Sequence, residues 1–170
     1  MTEVRQQVLE HVDAHPGVHY KGLVRELDIA AGQAQYHLRR LLDARELDVE
    51  KIQGRTHYFT DGYDGWERRT IALLRRETTR HVIVYALDSD GVSAMELADE
   101  LDLARSTVSF HVSTLVEAGV AEKYFDSKGR AHLRLTRPAE TRSLLEAVTP
   151  SLSDRLVDRF TRLVDASFHG

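Results

Sequence analysis

Two stretches carry side chains suited to reading the edges of another polymer. In RSTVSFHVSTLVEAG (Arg105–Gly119), a helical projection puts Val108, Val112 and Leu115 on one side. Ser106, Ser109, Phe110 and Ser113 fall on the other, with Arg105 and Thr107 at the start. A merely soluble helix would carry Glu and Lys there; this face is small, hydroxylated and uncharged around a phenylalanine. In QAQYHLRRLL, Ala34, Leu38 and Leu41 share the apolar side. Gly32, Gln35, Tyr36 and Arg39 oppose them, with Gln33 and Arg40 at the flank. In a major groove, Gln pairs with adenine, Arg with guanine or phosphate, and aromatic or small residues meet thymine methyls. Exposed aromatics equally anchor protein interfaces, so Tyr36 and Phe110 alternatively pack on a dimer mate or elsewhere on the chain. Bond-breaking chemistry has no visible basis: there is no phosphate loop, nucleophile elbow or HExxH motif. No catalytic residue and no cofactor is therefore expected.

The elements that position these faces repeat. Shifting the chain by 74 residues aligns VHYKGLVRELDIAAGQAQYHLRRLLDA with VSAMELADELDLARSTVSFHVSTLVEA without a gap. Leu23/Leu97, Glu26/Glu100, Asp28/Asp102, Ala30/Ala104, His37/His111 and Leu41/Leu115 coincide. Each copy reads as a helix (about Val4–His15, or Thr79–Ser89) and a second helix (Tyr20–Leu27, or Ala94–Leu101). A short turn at Asp28 or Asp102, a third helix and a β-hairpin around Gly54 or Gly129 complete it. Trp66, Ile71 and Leu74 predict a connecting helix, and Pro138 a helix start, with that helix running to about Val148. Leu152, Leu156, Phe160, Leu163, Val164 and Phe168 form a last apolar stripe. The implied units are 1–62, 63–78, 79–137 and 138–170. The fold class is mainly α with small β-wings (α+β).

Composition sets limits. The chain has 170 residues, 42% of them hydrophobic and 29% charged, which suits a globular protein. No cysteine is present, so disulfides and thiolate metal sites are excluded. Without a membrane-length apolar run, or the basic start and apolar segment of a signal peptide, a cytoplasmic protein is expected. The net charge of −4 counts against nucleic-acid binding at ordinary salt. With 19 Arg against 4 Lys and 14 Asp, the composition fits a GC-rich genome or a halophile, whose molar salt would weaken that objection.

Other polar groups carry competing readings. His37 and His111 sit at the edge of the buried face and are expected to pack against the preceding helix. The hairpin tips offer Arg55 with His57, and Lys128 with Arg130 and His132, either for phosphate contact or simply as wet turns. His11, His15 and His19 recur every four residues, but Pro16-Gly17 interrupts the helix and no carboxylate lies in register, so no metal site is expected. Arg68, Arg69, Arg75, Arg76 and Arg80 either track a DNA backbone or form a solvated face with Glu67 and Glu77.

The motif STVSFHVSTLVEAGV followed by KGRAHLRLT resembles the recognition helix and wing of ArsR- and MarR-type regulators. QAQYHLRRLLDARELDVEKIQGRTHYF is similar to the tandem winged-helix regulators of archaea, of haloarchaeal type. The resemblance covers nearly all of 4–60 and 79–136. It implies two tandem winged helix-turn-helix modules plus a C-terminal helical segment, and a sequence-specific, DNA-binding transcriptional regulator. Its third helices would enter the major groove of double-stranded DNA, and its wing tips would hold the backbone. The implied contacts are Gln33, Gln35, Tyr36, Arg39, Arg40, Arg55, Arg105, Ser106, Thr107, Ser109, Phe110, Ser113, Lys128 and Arg130. A homodimer through the C-terminal and connecting helices would match palindromic half-sites. Any effector would bind between modules or at that interface, and the sequence names none. Tandem winged helices in an acidic chain also resemble segregation-and-condensation proteins that clamp a chromosome-structure ATPase. That is the alternative reading.

Overall fold

The computed structural model describes residues 2–148. The first module runs α1 (Glu3–Ala14), β1 (Val18–His19), α2 (Tyr20–Leu27), α3 (Ala31–Asp43), β2 (Asp48–Ile52) and β3 (Arg55–Phe59). Helix α4 (Gly65–Leu74) follows. The second module runs α5 (Glu77–Leu87), β4 (Val92–Ser93), α6 (Ala94–Leu101), α7 (Arg105–Glu117), β5 (Ala121–Phe125) and β6 (Ala131–Leu135), and α8 (Pro138–Val148) ends the described chain. These are two tandem winged helix-turn-helix modules, mainly α with small β-wings. The structure adds a strand to each expected hairpin: the sheets have order β1-β3-β2 and β4-β6-β5, all antiparallel. At two residues each, β1 and β4 are too short to leave a periodic signal.

The sharp turn of each helix pair is made by an aspartate. Asp28 and Asp102 both adopt φ 51°, the left-handed region that short polar side chains tolerate, and end α2 and α6 there. The starts of these helices differ instructively. Ser93 Oγ accepts from Glu96 N–H at the start of α6, whereas His19 Nδ1 accepts from Gly22 N–H at 3.1 Å at the start of α2. The imidazole cap needs room: a Cβ on Gly22 would lie 2.7 Å from it. The small serine cap lets the equivalent position carry Glu96.

Apolar packing is unequal. Val8, Val12, Leu23, Ala34, Leu38 and Leu41 make a compact core for the first module. The larger core joins α4, the second module and α8, and it recruits Phe59 from the first wing. Helix α4 therefore lies within the chain: Thr70, Ile71, Ala72, Leu73 and Leu74 are all buried. This corrects the expectation that the connecting helix serves a homodimer seam, because its apolar residues are already covered. The stripe from Leu152 to Phe168 lies outside the described residues. Among the described residues no helix is long and apolar enough to cross a membrane.

Gly17 sits where the modules meet. Its φ is 76°, and an added Cβ would come within 2.5 Å of Ile71 Cγ2 and 3.3 Å of Phe59 Cε1. Gly17→Ala therefore combines left-handed strain with overpacking, and is expected to lower stability by about 2–4 kcal/mol. A chemical-denaturation midpoint unchanged by the substitution would contradict this close approach.

Candidate nucleic-acid interface

Each third helix presents the polar face read from its sequence. On α3, Ala34, Leu38 and Leu41 are buried, while Gln33, Gln35, Tyr36, Arg39 and Arg40 are exposed. On α7, Val108, Val112 and Leu115 are buried; Arg105, Ser106, Ser109, Phe110 and Ser113 are exposed and Thr107 half-buried. Tyr36 is 55% exposed and Phe110 63%, far more than large rings in a monomer core. Each is backed edge-on by the following histidine, with ring centroids 5.2 Å and 5.3 Å apart. His37 is buried and His111 half-buried, with His111 Nδ1 3.4 Å from Thr79 Oγ1, so both face the packed side. Both third helices begin at alanines, Ala30 and Ala104, whose side chains supply no cap. First-turn N–H groups left uncapped in this way suit an anionic ligand.

The first wing flanks α3 across an open groove of about 950 Å³, lined by Tyr20, Gln35, Tyr36, Arg39, Thr56 and Tyr58. Its tip is a tight turn in which Gln53 and Gly54 both have positive φ, 50° and 77°, and it leads directly to exposed Arg55. The second tip is built around Asp126, whose carboxylate accepts from the Lys128 and Arg130 backbone N–H groups, from Arg130 Nε and from His132 Nε2. The His132 hydrogen bond and those backbone N–H groups hold the Asp126 carboxyl well below the usual carboxylate range. Arg130 is thus tethered at 3.0 Å, while Lys128 rides exposed at the tip.

Three sequence readings are corrected. His57 is not a wing-tip cation: it is 2% exposed, with Nδ1 2.7 Å from the Gly17 carbonyl. That oxygen can only accept, so Nδ1 carries the proton, and the buried Nε2 has no partner among the described residues. The arginines between the modules neither form a solvated face nor stand free for a phosphate backbone. Arg69 donates to the Ala118 carbonyl, Arg75 to Pro16, Arg76 to Gln53 and Arg80 to Leu74. Arg68 donates to Tyr63 and pairs with Asp48 at 2.8 Å. Finally, His11 and His15 do have a carboxylate beside them, Glu26 of α2, whereas His19 is diverted to cap that helix.

The two faces are chemically unequal. Lys21, Arg39 and Arg40 of the first module correspond to Met95, Ser113 and Thr114 of the second. Met95 is 56% exposed, Phe125 at the end of β5 is 69% exposed, and Thr114 turns its hydroxyl to the Phe110 carbonyl. The α3 face is the more cationic, with Arg39 and Arg40; the α7 face keeps Arg105 at its start, where α3 has Ala31, and is otherwise apolar and hydroxylated. The repeat alignment contained this asymmetry, but a sequence projection does not show which groups survive as exposed.

Helix-turn-helix family models match both modules. Residues 2–71 match a family model described as an N-terminal HTH domain, and residues 78–124 match a helix-turn-helix domain. An uncharacterized HTH-type transcriptional regulator of Methanocaldococcus jannaschii is 23% identical over 122 residues, covering 72% of this chain. The chain spans only 31% of that relative's length. A transcriptional regulator homologue from Pyrococcus horikoshii is similar at 16% identity and TM-score 0.43, covering 52% of this chain and 95% of that one. A MepR variant of Staphylococcus aureus bound to an oligodeoxyribonucleotide is similar at 19% identity and TM-score 0.41, covering 61% and 85%.

Burial lowers the pKa of His57, with nearby His19 and the arginines opposing its charge further and the Gly17 bond only partly offsetting this. The folded state thus binds fewer protons than the unfolded chain, whose histidine titrates at about 6.5. The His57 contribution is complete above that pH and is lost as pH falls below it toward the depressed folded value. Melting temperature is expected to drop between pH 7.5 and pH 5.5, and less steeply for His57→Gln. An equal drop in both proteins would contradict the assignment.

Proposed function

We propose that this chain, two helix-turn-helix domains in tandem, is a DNA-binding transcriptional regulator that reads sequence with its third helices. The observation that carries this is the α3 face, where Gln33, Gln35, Tyr36, Arg39 and Arg40 stand exposed opposite buried Ala34, Leu38 and Leu41, beside a wing tip carrying Arg55. Arg and Gln there supply bidentate base contacts, and Arg55 and Lys128 supply phosphate contacts. Both modules contribute cationic attraction, the first through Arg39, Arg40 and Arg55, the second through Arg105, Lys128 and Arg130. The second contributes Ser106, Ser109, Phe110 and Ser113, suited to thymine methyls and base edges without charge. Such a regulator acts in the cytoplasm by occupying its site, as a homodimer on a palindrome. The helix-turn-helix matches and the relative named as a regulator favour this over the chromosome-clamp alternative.

Genome-fragment selection with purified protein, at low and at molar salt, tests the reading. A single palindromic motif is expected. Arg39→Ala with Arg40→Ala should weaken binding at least tenfold, at about 1–3 kcal/mol per bidentate Arg–base pair removed, and flatten the salt dependence. Ser109→Ala with Phe110→Ala should change the preferred bases while leaving the salt slope unaltered, because no charge is removed. No enrichment at any salt would overturn the proposal.

A further inference from the structure

We propose that His11, His15 and Glu26 form a binding site for a divalent ion of the zinc class at the junction of α1 and α2. One ligand atom from each residue lies within 4.8 Å of the others. The two histidines are one turn apart on α1, with ring centroids 4.4 Å apart. Glu26 arrives from α2, which the break at Pro16-Gly17 folds back against α1 so that Leu23 packs with Val8 and Val12. Glu26 Oε2 stands 2.8 Å from His11 Nε2. Apart from this contact, that buried nitrogen has no partner among the described residues.

The donor set is chemically apt. Two imidazole nitrogens and a carboxylate oxygen suit Zn²⁺, and three protein ligands leave a fourth position for solvent. Donors bound at roughly 2.0–2.1 Å from a tetrahedral ion sit about 3.4 Å apart, against a separation here of no more than 4.8 Å. His15 and Glu26 are exposed, which gives an ion a path in. Arg75 faces the same carboxylate and opposes a cation by charge, while its Nε is held by the Pro16 carbonyl at 2.8 Å.

The repeat supplies a control within the molecule. At the equivalent places the second module keeps the carboxylate, Glu100, but has Tyr85 and Ser89 for the histidines. A shared structural need would retain the imidazoles in both copies; only the first module has the ligands. An ion there would tie the helix preceding α3 to α1, so on the regulator reading DNA affinity would depend on the ion.

Titration of the untagged 170-residue chain with Co²⁺, followed by its visible d–d absorption, and with Zn²⁺ by calorimetry tests the site without reference to DNA. One ion per chain is expected. His15→Gln and Glu26→Gln, both at exposed positions, should each weaken binding at least tenfold, since loss of even an outer-shell partner typically costs about 10–100-fold. Tyr85→Phe should leave binding unchanged, and circular dichroism should show all variants folded. Absence of binding at millimolar ion, or equal affinity in the His15→Gln chain, would overturn the proposal, whatever the outcome of the DNA selection.

Discussion

The joint between the two modules rests on guanidinium groups that donate to backbone carbonyls. Arg75 grips the carbonyl of Pro16 at the end of α1, and Arg76 holds that of Gln53 at the first wing tip. Arg69 reaches Ala118 and Trp66 Nε1 reaches Gly119, both just past α7. Carbonyls at helix ends and turns lack internal partners, and a charged donor bonds them more strongly than a neutral one. Burial lowers the pKa of Arg75, Arg76 and Arg80, yet a guanidinium stays charged at any physiological pH. The guanidinium contacts are therefore permanently charged, and His57 beside Gly17 is the titrating neighbour of this joint. Around it, Ile71 against Gly17 and Phe59 in the larger core supply the apolar contact.

That joint frees the outer faces from structural duty. Because α4 is buried between the modules, the exposed residues of α3 and α7 need not hold the modules together. Their divergence, with Arg39 and Arg40 on α3 and a mostly apolar, hydroxylated face on α7, is therefore not imposed by the joint. An acidic chain with a net charge of −4 still offers concentrated positive charge on α3 and the first wing. Local arrangement, not net charge, decides whether a phosphate backbone is attracted.

The sequence disclosed whatever repeats with a period. Helical spacing located α3 and α7 and sorted their faces correctly, from Ala34 and Leu38 inward to Tyr36 and Arg39 outward. The 74-residue shift revealed the duplicated module, and Pro138 marked the start of α8. It did not disclose the roles of Arg69, Arg75 or Arg76, because every chain offers carbonyls everywhere and no residue type marks which are left open. His57 misled for a related reason: strand alternation fails where β3 is covered, and His57, Tyr58 and Phe59 are all buried in succession. Glu26 was invisible as a neighbour of His11 because the turn at Pro16-Gly17, not sequence spacing, sets their distance. For the candidate interface, then, exposure was legible, while chemical roles rest on the geometry and the proposal built on it.

Photo-cross-linking to a selected duplex carrying 5-iodouracil in place of thymine tests the central claim most directly. The iodine occupies the position of the thymine methyl and couples to aromatic rings in contact with it. Third helices seated in the major groove predict adducts at Tyr36 of α3 and Phe110 of α7, mapped by mass spectrometry of the digested complex. Adducts confined to residues away from α3 and α7, or a stable complex with no adduct at either ring, would contradict the account.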